Sequence, residues 1–253
     1  MNKFTRTAAA VALSFAAIAS QTASAAPVKN IVLVHGFFAD GSGWRGVADI
    51  LARDGYNVSV VQQPETSLAE DVKATARVVD ALAGRSILVG HSYGGMVITE
   101  AGNDPKVAGL VYVAAFQPQA GESLKDLADR MPPATTGIKA TADGHLDFDA
   151  ALFHADFAAD LPTADARFMA LSQVTPAVQA ATAPVSQAAW KTKPSWAIVS
   201  RDDRTVNPDL ERFMAKRAGS TTVEIAGSHV AFIANPAQVA KVIELAATTA
   251  GGK

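Results

Sequence analysis

The sequence predicts an α/β fold with a doubly wound, mostly parallel sheet and a helical cap. Short β-branched runs alternate with longer stretches in which apolar residues recur at helical spacing. The first run, at 30–34, is continuously apolar apart from its opening asparagine, as expected for a parallel strand buried on both faces. The alternation stops only once, between about 117 and 192, and resumes afterwards. Alternation of this kind favours right-handed βαβ crossovers.

The individual elements follow from this rhythm. Strands are predicted at 30–34, 56–61, 86–90, 107–114, 195–200 and 221–225, and helices at 43–53, 67–83 and 93–103. Asn207-Pro208 and Asn235-Pro236 each place a capping or turn residue before a first-turn proline, which predicts the start of a helix. Segment 117–192 is rich in alanine, contains recurrent prolines and has no clear strand. We therefore expect a helical cap there, over the carboxyl ends of the strands.

Composition limits the classes of function. The chain has 253 residues, 49% hydrophobic and 18% charged, which is enough for one substantial core. A net charge of −2 without a basic stripe gives no indication of a nucleic-acid partner. The absence of cysteine excludes disulfides, thiolate metal sites and a cysteine nucleophile. The oligomeric state stays open.

Residues 1–25 have the pattern of a secretory signal peptide. Lys3 and Arg6 precede an apolar run at 8–19, and Ala23-Ser24-Ala25 fits a small-x-small cleavage site. An uncleaved membrane anchor is the alternative, but the run is shorter than the about 20 residues that a span requires. We expect export to a periplasm or the medium, a mature domain at 27–253, and no membrane attachment after cleavage.

The segment Gly90-His91-Ser92-Tyr93-Gly94 is a G-x-S-x-G motif between a predicted strand and a predicted helix. In that context the glycines permit a sharp turn that exposes the serine hydroxyl, so Ser92 is predicted to be a nucleophile. The backbone N–H of Tyr93 and that of Phe37, which follows the first strand, are the candidate oxyanion-hole donors. A glycine turn with a solvated serine is the alternative interpretation.

A serine nucleophile requires a general base and an acid that orients it. His229 follows the last predicted strand and is the candidate base. Asp202 and Asp203 both follow the strand at 195–200; Asp203 is favoured because Val206 can turn back into the core and fix the loop. The order serine, aspartate, histidine is the one expected for this architecture.

The acidic stretch around His145 and His154 matches no metal-binding spacing, so we predict a solvated loop without metal. No cofactor is expected either.

With these motifs in view, the chain resembles the α/β-hydrolase superfamily, in particular its small-capped branch of esterases and hydroxynitrile lyases. The resemblance covers residues 29–247. The matching segments are His35-Gly36 with Gly43-Trp44, the turn at 90–95 around Ser92 (the elbow), Ala114-Ala115-Phe116 with Gly121-Glu122-Ser123, the Asp203 loop, and Gly227-Ser228-His229. The resemblance implies a Ser-His-Asp hydrolase. The lyases carry a threonine where this chain has Gly36 and a lysine where it has Val230, so lyase chemistry is not expected.

These observations predict hydrolysis of small-to-medium carboxylic esters through an acyl-enzyme on Ser92. Phe38, Trp44 and Phe116 are the leading candidates for substrate contact. The wider apolar set also contains Phe37, Tyr93, Met131, Phe153, Phe157, Phe168 and Met169, the last five of them in the cap segment. Two alternatives stay open: a ligand-binding protein that keeps the hydrolase scaffold, and perhydrolase or haloperoxidase-like activity that uses the same triad. The predicted partner is a small-molecule ester.

Overall fold

The computed structural model describes residues 26–251; the predicted signal peptide at 1–25 lies outside the described residues. The strands in chain order are β1 (Asn30–Val34), β2 (Asn57–Val61), β3 (Ser86–His91), β4 (Val107–Val113), β5 (Ile138–Ala140), β6 (Leu146–Phe148), β7 (Ser195–Ser200) and β8 (Thr221–Ile225). Six of them form one sheet in the order β2-β1-β3-β4-β7-β8, and every neighbouring pair in it is parallel. The predicted doubly wound parallel sheet is confirmed.

The burial of each strand matches its place in the sheet. Every residue of β1, β3, β4 and β7 is buried, whereas most residues of β2 and β8 are at least partly exposed. The four buried strands occupy the centre and the two others form the edges. A central parallel strand is covered by helices on both faces, so a continuous apolar run is required there and not at the edges.

The helices in chain order are α1 (Arg45–Arg53), α2 (Leu68–Ala81), α3 (Gly94–Ala101), α4 (Leu124–Arg130), α5 (Ala150–Asp156), α6 (Thr163–Leu171), α7 (Val178–Thr182), α8 (Pro208–Ala218), α9 (Ala231–Ala234) and α10 (Pro236–Gly251). A 3₁₀ turn at Gly41–Trp44 precedes α1. As predicted, the Asn207 side chain caps α8 by accepting a hydrogen bond from the Asp209 N–H, and Pro208 occupies the first turn.

Helices cover both faces of the sheet. The chain runs from β1 out to β2 through α1, and then back through α2 and α3 toward β3 and β4. Right-handed crossovers made in opposite directions place their helices on opposite faces. Accordingly α1 packs with α10, and α2 packs with α3. No helix within residues 26–251 combines the length and the apolar composition needed to cross a membrane.

Segment 117–192 differs from its prediction in one respect. It contains α4 to α7, as a helical cap would, but β5 and β6 form an antiparallel hairpin in which Ile138 is paired with Phe148. The expectation of no strand in this segment is therefore wrong. Three residues per strand are too few to give a periodic signal, which explains why the sequence did not indicate the hairpin.

Candidate active site

Ser92 lies at the turn that joins β3 to α3. Its φ of 52° is in the left-handed region, which non-glycine residues rarely adopt. The turn is held by three backbone hydrogen bonds: the Ser92 N–H donates to the Val113 carbonyl, and the Ser92 carbonyl accepts from the N–H groups of Gly95 and Phe116. Ser92 is 5% exposed and lines a cavity. The structure thus contains a serine with the strained backbone that the motif predicted; its side chain is largely buried and borders the cavity.

Close approach of other main-chain atoms requires glycine at two positions after Ser92: Gly94 of the motif and the adjacent Gly95. A Cβ on Gly94 would lie 2.7 Å from the carbonyl oxygens of Val34 and His35, at the end of β1. A Cβ on Gly95 would lie 2.0 Å from the Phe116 carbonyl oxygen. Both obstacles are main-chain atoms, which cannot rotate away. The elbow therefore packs directly on the segments that follow β1 and β4.

Replacement of Gly95 by alanine should destabilise the fold, because the new methyl group overlaps main-chain atoms. We expect the free energy of unfolding to fall by about 3 kcal/mol in urea titrations. Gly43→Ala is the matched control: its Cβ would meet only side-chain atoms, at 3.4 Å or more. A change for Gly95→Ala no larger than that for the control would contradict this account of the elbow.

The two candidate oxyanion donors, Phe37 and Tyr93, are neighbours in space. Their rings stack with centroids 3.9 Å apart and an interplanar angle of 19°. Within residues 26–251, neither backbone N–H donates to a protein acceptor. Tyr93 also precedes the first residue of α3, so the positive end of the helix dipole adds to the field at this point. These two N–H groups are available to an anionic ligand.

Asp203 and His229 form a hydrogen-bonded pair. The His229 Nδ1 lies 2.6 Å from Asp203 Oδ2, and both side chains are fully buried. Asp203 Oδ1 accepts from the N–H groups of Thr205 and Val206, at 2.7 and 2.9 Å. The carboxylate is thus held by its own loop, with Val206 buried as the sequence suggested. With Nδ1–H donating to Asp203, the other ring nitrogen of His229 carries a lone pair.

The structure separates the two candidate aspartates. Asp202 is exposed, and its Oδ2 accepts a hydrogen bond from the Gly227 N–H at 3.0 Å. Asp202 therefore links the Asp203 loop to the loop that carries His229, while Asp203 contacts the imidazole itself. Among the described residues, His229 Nε2 has no hydrogen-bond partner and is buried. This nitrogen can accept a proton as a general base. Ser92 Oγ makes no hydrogen bond to it in this structure, and catalytic hydrogen bonds of this kind often form only in the complex with substrate.

His91, adjacent to Ser92, supports the His229 backbone. His91 Nε2 donates to the His229 carbonyl oxygen at 3.0 Å, and the two ring centroids are 4.6 Å apart. Complete burial, and then the proximity of His229, lower the pKa of His91 well below its ordinary value. A neutral His91 can make this hydrogen bond without adding a positive charge beside His229. No local sequence pattern indicates this contact.

Behind Asp203 lies a second buried carboxyl group, that of Glu211 on α8. Burial raises its pKa well above the ordinary value, and the charge of nearby Asp203 adds to the effect. A protonated Glu211 adds no second negative charge beside Asp203.

The cap holds both loops of the Asp203–His229 pair. Asp160 accepts from the Ser228 N–H at 2.9 Å and from the Ser228 hydroxyl. Asp156 Oδ1 accepts from Arg204 Nε at 2.6 Å, and its carbonyl oxygen accepts from the Thr205 hydroxyl. Neither aspartate could be recognised as a site residue from the sequence, because Ser228 and Arg204, to which they bond, are distant along the chain.

A cavity of about 410 Å³ lies beside Ser92. Most of its lining is apolar and most of that comes from the cap: Phe37, Phe38, Phe116, Leu124, Ala128, Pro133, Ile138, Ala140, Leu146, Val178, Ala181 and Val206. Besides Ser92, Thr182 and Thr205, the polar lining residues are Lys125 and Asp129, which form an ion pair at 2.5 Å. The cavity is thus an apolar chamber with a solvent-exposed ion pair at its edge.

The structure places only two of the three predicted substrate-contact residues at the cavity. Phe38 and Phe116 line the cavity, whereas Trp44 does not. Trp44 is fully buried with its ring 4.4 Å from that of Phe232 and 6.5 Å from that of His91. The expectation for Trp44 is therefore corrected: its ring packs in the core behind the elbow. Phe168, one of the wider apolar set in the cap, is 69% exposed and also outside the cavity.

The acidic stretch in the cap contains His145 and His154. His145 lies 3.4 Å from an exposed carboxylate oxygen of Asp143, and His154 Nε2 donates to the Leu161 carbonyl. In residues 26–251 no group of three or more histidine or acidic side chains is arranged to hold a metal ion.

Comparison with known proteins identifies the family of the chain. A family model described as the alpha/beta hydrolase family matches residues 31–242. Over 122 residues the chain is 38% identical to a carbendazim hydrolyzing esterase of Nocardioides sp. (strain SG-4G); the match covers 42% of this chain and only 50% of that protein. An alpha/beta hydrolase of Aspergillus novofumigatus (strain IBT 16806) is 26% identical over 246 residues, covering 86% and 96% of the two chains.

Solved structures share the fold. A pyrethroid hydrolase from Sphingobium faniae JZ-2 superposes with a TM-score of 0.73 at 23% identity, covering 85% of this chain and 96% of that one. A polyneuridine aldehyde esterase gives a TM-score of 0.73 at 16% identity, covering 85% and 98%. At these identities the likeness shows a common architecture and no more.

Proposed function

The chain belongs to the alpha/beta hydrolase family, and from this premise we propose that it hydrolyses small-to-medium carboxylic esters through an acyl-enzyme on Ser92. One observation carries the proposal: the buried hydrogen bond between His229 Nδ1 and Asp203 Oδ2. That bond fixes the tautomer in which Nε2 can accept a proton, and it compensates the charge of the imidazolium that forms. Without this hydrogen bond, His229 would be a poorly oriented base and Ser92 would be a much weaker nucleophile.

The proposed reaction has two halves. His229 Nε2 takes the Ser92 proton as Oγ attacks the ester carbonyl carbon, and the carbonyl oxygen becomes an oxyanion held by the N–H groups of Phe37 and Tyr93. The carbon–oxygen bond to the alcohol then breaks, and His229 returns the proton to the leaving alkoxide. In the second half His229 deprotonates a water, which attacks the acyl carbon. The bond from that carbon to Ser92 Oγ then breaks, His229 returns the proton to Oγ, and the carboxylic acid leaves.

The cavity supports a neutral, apolar substrate. Its lining residues offer few hydrogen-bonding groups, and its two charged members, Lys125 and Asp129, already neutralise each other. A charged group placed there would lose its hydration without gaining a free partner. The name of the carbendazim hydrolyzing esterase, which is 38% identical over 122 residues, supports an ester substrate for this chain.

The preference for neutral esters has a direct test. We expect purified protein to hydrolyse p-nitrophenyl hexanoate at least about tenfold more efficiently, in kcat/KM, than mono-p-nitrophenyl glutarate. Both esters release the same phenolate, and their spontaneous hydrolysis rates, measured in parallel, serve as the control. Equal efficiencies would argue against an apolar acyl site.

Turnover, labelling and peracid measurements separate the alternative functions. A ligand-binding protein on this scaffold would show no multiple turnovers and no labelling of Ser92 by a fluorophosphonate probe. A perhydrolase would form peracid from ester and hydrogen peroxide faster than it hydrolyses the ester. The intact Asp203–His229 hydrogen bond favours hydrolysis over simple binding, because binding alone has no need of an oriented base. We further propose export of the enzyme, on the basis of residues 1–25 alone.

A further inference from the structure

A buried carboxyl group beneath the oxyanion donors has no role in the mechanism above. Asp71 lies on α2 and is completely buried. Its Oδ2 accepts from the Tyr93 hydroxyl at 2.6 Å, and its Oδ1 accepts from the Glu65 N–H at 2.8 Å. Burial raises the pKa of this carboxyl group. A buried ionisable group is unfavourable unless its contacts compensate, so its two partners indicate what it does.

The first partner belongs to the oxyanion site. Tyr93 follows Ser92 directly and carries one of the two candidate N–H donors. Its ring is held from two directions, because one face stacks on Phe37 and the hydroxyl at its far end is fixed by Asp71. Phe37 carries the other donor. A rotation of the Tyr93 ring would therefore disturb the residues that supply both N–H groups.

The second partner leads back to the first strand. Segment 63–65 contacts His35, the residue after β1: the Gln63 N–H donates to His35 Nε2 at 3.3 Å. His35 Nδ1 must then carry the proton, and it lies 3.1 Å from the Gly36 carbonyl oxygen and 3.3 Å from Glu65 Oε1. Glu65, whose N–H contacts Asp71, is itself completely buried. Contacts therefore run from Tyr93 to Asp71, from Asp71 to segment 63–65, and from that segment to His35, two residues before Phe37.

We propose that Asp71 is a positioning residue of the oxyanion hole, an inference that rests on the proposed hydrolytic function. By fixing the Tyr93 hydroxyl and the Glu65 backbone together, it sets the relative position of the Tyr93 and Phe37 N–H groups. Asp71 touches neither the substrate nor Ser92 in this role. The expected signature is a loss of transition-state stabilisation with little change in ground-state binding.

Three variants test the proposal. Asp71→Ala should lower kcat about thirtyfold, a partial loss of oxyanion donors that are each worth about 10²–10³, with KM changed less than threefold. Asp71→Asn can still accept from the Glu65 N–H and donate to the Tyr93 oxygen, so it should restore kcat to within about threefold of wild type. Tyr93→Phe should resemble Asp71→Ala, and the double variant should cost no more than the worse single change.

Tyr112→Phe is the matched control. It removes a similarly buried tyrosine hydroxyl that is hydrogen-bonded to Thr99 at 2.8 Å and, within residues 26–251, bonds to neither Phe37 nor Tyr93. It should lower the melting temperature while leaving kcat per active site near wild type. Titration of active sites with a fluorophosphonate corrects every kcat for misfolded protein, and affinity for a trifluoromethyl ketone reports oxyanion binding separately from turnover.

Two outcomes would overturn the proposal. One is a kcat per active site for Asp71→Ala no lower than that for Tyr112→Phe; the other is Asp71→Asn as impaired as Asp71→Ala. If the wild-type protein cleaved no ester, the proposed function would fail instead. In that event the crystal structure of Asp71→Ala decides the positioning role, because an unshifted Phe37–Tyr93 stack would refute it independently of activity.

Discussion

Replacement of Ser92 by alanine should lower the turnover of a good ester substrate by up to about 10⁶-fold, and His229→Ala should do the same. The hydroxyl and the imidazole act as one unit, so removing either leaves only binding and the oxyanion donors. The measurement is steady-state hydrolysis of a p-nitrophenyl ester, with correction for the spontaneous rate. The double variant should be no slower than the worse single variant.

Ser86→Ala is the control for the serine change. Ser86 is completely buried at the opposite end of the same strand, β3, so its loss tests tolerance of the strand to a missing hydroxyl without touching the site. Its turnover should stay within about threefold of wild type. Retention of wild-type turnover by Ser92→Ala, with folding intact, would remove the acyl-enzyme mechanism.

Asp203→Asn should lower turnover by about 10⁴-fold. An amide in this position can donate to His229 Nδ1, which favours the tautomer with a proton on Nε2, and that tautomer cannot accept the serine proton. The fold should survive, because the amide oxygen can still accept from the N–H groups of Thr205 and Val206, which Asp203 Oδ1 accepts from now.

Asp202→Asn is the matched control for this second change. The side chain is exposed, and an amide oxygen can replace its hydrogen bond with the Gly227 N–H. Turnover should therefore stay within about threefold of wild type. The reverse result, a severe loss for Asp202→Asn and a mild one for Asp203→Asn, would exchange the roles of the two residues.

Much of this architecture could be predicted because its signals are local. Strands β1, β7 and β8 have the predicted bounds, and Asn207-Pro208 marks the start of α8. The nucleophile turn was also predictable, since its glycines lie within three residues of Ser92. In each case the physical constraint and the residues that satisfy it are neighbours in the sequence.

The remaining features depend on contacts between distant segments. In the helix predicted at 67–83 the apolar residues Leu68, Val72, Val79 and Leu82 recur at helical spacing, whereas the structure buries Asp71 and leaves Val72 partly exposed. The signal that could have revealed Asp71 is its helical spacing from Leu68, Thr75 and Val79, which are all buried. Trp44 was misplaced for a related reason: hydrophobicity predicts burial but not whether the ring lies behind the elbow or in the cavity.

The contacts of Asp160 and Asp156 have a consequence for engineering and evolution of this fold. The two aspartates join the cap to the loops that bear His229 and Asp203, across 68 and 48 residues of sequence. Transplanting a foreign cap to change the substrate range would sever these links and leave the base and its acid less well oriented. In this fold the cap therefore affects both substrate specificity and the orientation of the catalytic pair, and a functional chimera needs carboxylates at positions 156 and 160 of the new cap.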